Sequence, residues 1–165
     1  MSIRTICPPV FSTITMLTGI FYRPQIAEWV IGTWLMMRNG YLEYACYQKQ
    51  ANWTRVFFDV QDSRDLRMGI LGYGAIGRQC ARRAKAMGVE VYVFTRSERS
   101  TPEQRRDDRY VLPGMGDPDG LIPTRWFRGS SKDAVNNFLN QDLDILVLSL
   151  PLTQAATSII GREQF

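Results

Sequence analysis

The chain has 165 residues, 45% hydrophobic and 22% charged, enough to bury the core of one globular domain. Its three cysteines, Cys7, Cys46 and Cys80, have neither paired spacing nor a CxxC motif, which argues against a disulfide framework or a zinc site and fits a reducing, cytoplasmic setting. No histidine occurs, so the commonest general acid/base is absent; the net charge of +4, with Arg supplying 17 of the 20 basic residues, comes without a nucleic-acid recognition motif.

Residues 1–23 read as irregular: they carry Arg4 and Arg23 without acidic side chains, but Pro8-Pro9 opposes an amphipathic targeting helix. Pro24 suits a first helical turn, and Ile26, Trp29, Val30, Thr33, Trp34 and Met37 follow before Arg38-Asn39-Gly40 ends the segment. The apolar run is about 12 residues and includes Glu28, whereas a membrane span needs ~20. A helix apolar on nearly every side is expected to be buried between layers or against another subunit. Residues 41–67 show no sustained period, and Trp53 has no readable place.

Met68 to Leu71 is a short apolar strand running into Gly72-Tyr73-Gly74-Ala75-Ile76-Gly77. Ile76, Cys80, Ala81, Ala84 and Met87 then recur at helical spacing until Gly88. Val89-Glu90-Val91-Tyr92-Val93-Phe94 follows as a second strand, completing the ~30-residue βαβ unit that a GxGxxG turn needs to mean dinucleotide binding. In such a turn Gly72 allows the tight bend, Gly74 lets backbone approach a pyrophosphate, and Gly77 lets helix and strand pack closely. The N–H groups from Ala75 and Ile76 open the helix toward the anion.

The end of the second strand selects the dinucleotide. NAD sites usually carry Asp or Glu there; this chain has Thr95-Arg96-Ser97. Arg96 can pair with a 2'-phosphate and the two hydroxyls can donate to it, so NADP(H) is favoured over NAD(H). The alternative is that Arg96 is solvated and Glu98 turns in to bind the ribose of NAD. Arg78, Arg82, Arg83, Arg99, Arg105 and Arg106 add a positive field around the turn, unless they form only a solvated face.

Ser97 to Gly129 is a long charged excursion, punctuated by Pro102, Pro113-Gly114, Asp117-Pro118, Asp119-Gly120 and Pro123, either functional or disordered. Thr124 to Phe127 can add a short strand. Ser130, with Asp133, opens a helix over about 131–140. Asp144 to Leu150 then reads as a strand buried on both faces of a parallel sheet. Its carboxyl end, Leu150-Pro151-Leu152-Thr153, belongs beside the glycine turn, where open α/β sheets bind ligands.

Three separated pieces together resemble the D-isomer-specific 2-hydroxyacid dehydrogenases. Gln25-Ile26-Ala27-Glu28 and its helix look like the helix before the family's coenzyme motif, Gly69 to Gly77 like its coenzyme fingerprint, and Leu150-Pro151-Leu152-Thr153 with Ile159-Ile160-Gly161 and Phe165 like its Pro-Leu-Thr segment. The resemblance spans residues 19–165. It implies hydride transfer between a nicotinamide and a 2-hydroxy or 2-keto acid, two Rossmann-like domains and a homodimer. It also implies an α/β fold, here a partial Rossmann-like doubly wound parallel sheet with strands 1 to 4 of the 3-2-1-4-5-6 order. Residues 1–23 would be a remnant of the substrate domain and 24–165 a C-terminally truncated NAD(P)-binding domain with an extra buried N-terminal helix.

Residues carried over as cofactor contacts are Gly72, Gly74, Ala75, Ile76, Gly77, Thr95, Arg96, Ser97, Leu150, Pro151 and Thr153. The family's catalytic Arg, Glu and His would follow the Pro-Leu-Thr segment, and none is found in this sequence. Two positions depart from the pattern: Thr95 replaces the usual Asp, and Ala156 with Thr157 next replaces a nucleotide-contacting Thr. The expectation is an oxidoreductase represented by its coenzyme part, with its small acid bound only in a longer form. A non-catalytic NADP(H)-binding or interaction remnant is the alternative, and a methyltransferase, with a looser glycine pattern, a third. Lacking strands 5 and 6, the strand at 144–150 would be an open edge needing a partner.

Overall fold

A computed structural model describes residues 23–54, 62–151, 153, 156 and 159–161 of the chain. Of the irregular start expected over 1–23, Arg23 instead opens the first helix, and residues 1–22, with Leu152, Thr157 and Phe165 of the carboxyl segment, lie outside the described residues.

Four parallel strands form one sheet: β1 (Arg67–Leu71), β2 (Glu90–Thr95), β3 (Arg125–Arg128) and β4 (Ile145–Leu148), in the order β3-β2-β1-β4. This is the expected 3-2-1-4 arrangement of a partial Rossmann-like fold. Period-two alternation sends Met68 and Ile70 to one face with Val91, Val93 and Val147, and Leu71 to the other with Tyr92 and Phe94.

Helix α3 (Ala75–Ala86) covers the first face through Cys80, Ala81 and Ala84, all fully buried; the small residues allow close approach to the sheet. Gly88, at φ +81°, ends it in the left-handed conformation, as the sequence predicts. The second face is covered by α5 (Lys132–Leu139), whose Phe138 is fully buried against Phe94 and Phe127 at 5.5 and 5.3 Å between ring centroids. Truncating Phe138 to alanine would cost roughly 3–5 kcal/mol. The cap of α5 is Ser131, whose hydroxyl accepts from the Ala134 N–H, one residue after the predicted Ser130.

Helix α1 (Arg23–Arg38) packs on α3 rather than between layers. Ala27 and Ile31 are buried and Arg83 of α3 reaches Glu28 at 2.8 Å, but Trp29 is 70% exposed and Met37 68%. Of the two expected settings, burial between layers is therefore corrected to a one-sided contact with α3 among the described residues, which leaves Trp29 and Met37 on the outer face. A second helix, α2 (Tyr41–Lys49), occupies a stretch in which the sequence shows no period, and it has no buried residue. Its residues alternate without an apolar stripe, so no helical period announces it. Trp53 is 90% exposed.

β4 also differs from its reading as a strand buried on both faces: it pairs with β1 only and Leu148 is 55% exposed. Among the described residues no strand covers its outer edge, which is the open edge predicted from the strand order.

The excursion between β2 and β3 is ordered. It contains a one-turn helix, α4 (Pro102–Arg105), closed by a Thr101/Gln104 capping box, and its two limbs meet where the Asp107 N–H donates to the Pro118 carbonyl at 2.8 Å.

Candidate dinucleotide site

Because the strands are parallel and in register, with Leu71 level with both Phe94 and Leu148, their carboxyl ends finish together. There the backbone is tied into one unit. The Gly72 N–H donates to the Phe94 carbonyl at 3.0 Å, the Ser149 N–H to the Leu71 carbonyl at 3.0 Å, and the Ser149 hydroxyl to the Gly72 carbonyl at 2.6 Å. Gly72 has φ +100°, and a Cβ there would lie 2.8 Å from the Ser149 carbonyl oxygen, so both conformation and crowding call for glycine.

The three glycines have different physical roles. A Cβ on Gly77 would strike the Gly72 carbonyl oxygen and come within 3.0 Å of Ile70 Cγ2, so this glycine lets α3 pack on β1. A Cβ on Gly74 would meet no atom within 4 Å: the space over it is open to the cleft. Gly74 caps α3 in extended geometry without a side-chain hydrogen bond, leaving the first N–H groups of the helix to an external acceptor.

A cleft of about 500 Å³ opens over this turn, lined by Gly72, Tyr73, Gly74, Arg78, Thr95, Arg96, Ser97, Ser149, Leu150, Pro151 and, from the excursion, Arg99, Arg106, Asp107, Asp108 and Arg109. A second hollow of about 170 Å³ adjoins it and shares Arg96, Leu150 and Pro151. Phe94, Gly129, Ser130, Thr153, Ala156 and Ile159 complete its largely apolar walls. The two together form a groove with a polar, cationic part over the glycine turn and an apolar part beyond the end of β2, the character expected of phosphates followed by an aromatic base.

Of the predicted contacts, Gly72, Gly74, Thr95, Arg96, Ser97, Leu150, Pro151 and Thr153 line this groove. Ala75 faces a small neighbouring hollow, Ile76 packs against the core and Gly77 is buried, so the side chains of these three do not line the groove.

The polar side chains depart from the sequence reading in two ways. Thr95 and Ser97 were both expected to donate to a 2'-phosphate, but the Thr95 hydroxyl donates to the Ser97 carbonyl at 2.8 Å. Nor do the arginines form one field around the turn. Arg78 is 4% exposed and donates to the Asp117 and Arg105 carbonyls. Arg82 reaches the Gly116 carbonyl, Arg83 pairs with Glu28, and Arg105 lies over the Trp126 ring while donating to the Arg99 and Ser100 carbonyls. These four are engaged within the fold, Arg78 at the edge of the cleft; Arg96, Arg99 and Arg106 also line the cleft, Arg99 donating to the Gln104 carbonyl and Arg106 pairing with Asp119 at 3.5 Å.

Arg96 is exposed and, among the described residues, has no hydrogen-bond or ion-pair partner, whereas Glu98 pairs with Arg128 of β3. Ser149, Tyr73 and Asp107 were not legible as site residues. For Ser149, its place at the end of the fourth strand was a usable signal, but nothing local marks the partners of Tyr73 and Asp107. Burial, followed by its hydrogen bond to Asp117, pushes the Tyr73 phenol well above its ordinary range, so it is a neutral donor. Burial opposes ionisation of Asp107, but Arg109 at 2.6 and 2.7 Å and Arg78 outweigh it and hold the carboxyl below its usual range. Among the described residues no group of three or more acidic, Cys or His side chains could hold a metal ion, and no helix is long and apolar enough to cross a membrane.

The model of the family described as "D-isomer specific 2-hydroxyacid dehydrogenase, NAD binding domain" matches residues 31–113, just over half of the chain. The chain belongs to this family. It carries part of the NAD-binding domain of a D-isomer specific 2-hydroxyacid dehydrogenase. Glycerate dehydrogenase of Methylorubrum extorquens is 28% identical over 145 residues, 84% of this chain and 36% of that protein. A family member from Aeromonas salmonicida superposes with a TM-score of 0.58 at 25% identity, covering 82% of this chain and 35% of its own. The NADPH-dependent glyoxylate/hydroxypyruvate reductase of Sinorhizobium meliloti, solved with NADP and sulfate, shares the fold with a TM-score of 0.55 at 24% identity, over 85% of this chain and 35% of that one. The chain thus spans about a third of the length of these relatives.

Proposed function

We propose that the groove binds NADP(H) in preference to NAD(H), and that the chain is the coenzyme part of an enzyme reducing a 2-keto acid to a 2-hydroxy acid. The observation that carries the coenzyme preference is the pair Arg96 and Glu98: the cation at the end of β2 is unengaged, while the carboxylate that could have taken a ribose is held by Arg128. In this reading Gly72 and Gly74, with the N–H groups from Ala75, Ile76 and Gly77, hold the pyrophosphate. Thr95, Arg96 and Ser97 face the adenosine ribose, with Arg96 and the Ser97 hydroxyl on its 2'-phosphate. Leu150, Pro151 and Thr153 form the base slot.

The bound nicotinamide would supply the hydride; the residues of this chain bind and orient the dinucleotide. With no histidine in the sequence, this stretch binds without turning over by itself, and the acid and its acid/base group belong to a longer form. The same proposal takes residues 1–23 as a remnant of the substrate domain and 24–165 as the coenzyme domain, the assembled enzyme as a homodimer, and its setting as the cytoplasm, in keeping with the free thiols of Cys46 and Cys80.

Dissociation constants for NADPH and NADH, measured on the 165-residue chain and on Arg96→Ala, test the reading. Loss of a charge-assisted hydrogen bond is worth about 1.5–3 kcal/mol, so NADPH affinity should fall roughly ten- to hundredfold while NADH changes little. Tighter binding of NADH by the unaltered chain, or equal NADPH affinity in the variant, would overturn the preference.

A further inference from the structure

We infer that Tyr73 and Arg78 are positioning residues that dock the 97–123 excursion against the glycine turn, making that excursion an arginine-bearing wall of the dinucleotide cleft. This rests on the dinucleotide reading above. Both residues belong to the glycine segment and border the cleft beside Gly74, and both commit their polar atoms to the excursion. The Tyr73 hydroxyl donates to Asp117 Oδ2 at 2.6 Å; its ring stands edge-on to Trp126 at 5.2 Å, with the Arg78 guanidinium 4.7 Å from the ring centroid. Arg78 donates to the Asp117 carbonyl and, at 2.6 Å, to the Arg105 carbonyl, while its Nε faces the Asp107 carboxylate at 3.6 Å.

One buried guanidinium therefore joins both limbs of the excursion to the first turn of α3. Asp117 completes the joint by accepting from the Leu121 and Ile122 N–H groups at 3.0 and 3.1 Å. A segment with α4 wholly unburied and no strand of its own has little apolar area to fix it, so its place depends on these polar ties. What the ties deliver is charge. Arg99, Arg106 and Arg109 reach the cleft that Gly72, Gly74 and Arg96 line, three cations against the two carboxylates of Asp107, which Arg109 holds at 2.6 and 2.7 Å, and Asp108. Their field favours bound phosphates, so excursion docking and dinucleotide binding strengthen one another by the same factor.

The test uses the full 165-residue chain with NADPH and with adenosine, which has no phosphate. Tyr73→Phe keeps the ring and removes only the donor to Asp117. It should weaken NADPH about three- to tenfold, the scale of one hydrogen bond, leave adenosine within about twofold, and speed tryptic cleavage at the excursion arginines. NADPH should slow that cleavage in the unaltered chain. Arg109→Gln, at a half-exposed position, should give the same ratio between the two ligands, and decides the matter should Tyr73→Phe not fold. Equal loss on NADPH and adenosine would mean a merely structural role and overturn the inference. So would unchanged NADPH affinity in the folded variants. An unaltered chain that binds no dinucleotide overturns the earlier reading and this one with it; binding by the unaltered chain that the variants match overturns this one alone.

Discussion

Replacing Gly74 and Gly77 separately by alanine should split stability from binding, because the same added methyl group meets open space at one position and backbone at the other. At Gly77 the new Cβ would collide with the Gly72 carbonyl oxygen and come within 3.0 Å of Ile70 Cγ2 and 3.1 Å of the Ser149 hydroxyl. Backbone cannot swing away as a flexible side chain would, so α3 must move off β1. Such overpacking costs roughly 1–3 kcal/mol, which for a chain of this length lowers Tm by roughly 2–12 °C. At Gly74 no atom lies within 4 Å and φ is −90°, allowed for any residue. The poorer helix cap that alanine makes is offset by the lost flexibility of the unfolded chain, each effect being about 0.5–1 kcal/mol, so Tm should stay within about 3 °C. Binding should behave in the opposite way. A methyl group over Gly74 projects into the space proposed for the pyrophosphate, and a tenfold weaker NADPH affinity corresponds to about 1.4 kcal/mol, a modest estimate for the obstruction. Thermal unfolding followed by circular dichroism and NADPH titration by fluorescence read the two effects independently. Gly74→Ala that binds NADPH as well as the unaltered chain would refute the assignment of that open space to the ligand, and Gly77→Ala with an unchanged Tm would refute the packing argument.

Three further outcomes follow from the same structure. Burial pushes the Cys80 thiol up to about 11, so a thiol reagent at pH 8 should modify exposed Cys46 and spare Cys80 until the chain unfolds, as read by peptide mass mapping. The carboxyl of Asp107 is held below its unfolded value, so its contribution to stability is complete above about pH 4 and lost as pH falls through the folded value. The Arg109 amide resonance, whose N–H lies 3.4 Å from that carboxylate, should titrate with a midpoint below about 4 and cease to do so in Asp107→Asn. Placing a charge on the uncovered edge, Leu148→Lys, should raise the concentration at which light scattering finds a monodisperse species; no change would show that the β4 edge does not drive association.

The sequence by itself determined the βαβ unit and the place of the groove, because both follow from local patterns; the 3-2-1-4 order was implied by the family resemblance and is the order the sheet shows. Met68 to Leu71 and Val91 to Phe94 carry the strand signal, Gly72 to Gly77 the turn, and parallel strands linked by helices leave their carboxyl ends on one edge. It also marked Arg96, since a cation at the end of the second strand is visible without a structure. Tertiary packing alone decided which arginines remain available. Arg78 and Arg96 are alike in the sequence and both border the cleft, yet one is buried and enclosed by Tyr73, Asp107 and Asp117 while the other is exposed. Helix α1 shows the same division, since its apolar residues announced a helix but only the presence of α3 on one side set which of them are covered. Local propensity is a property of neighbours in the chain. The partner of a polar group and the layer over an apolar one come from segments tens of residues away, such as the 44 residues between Tyr73 and Asp117, and only the folded chain brings those together.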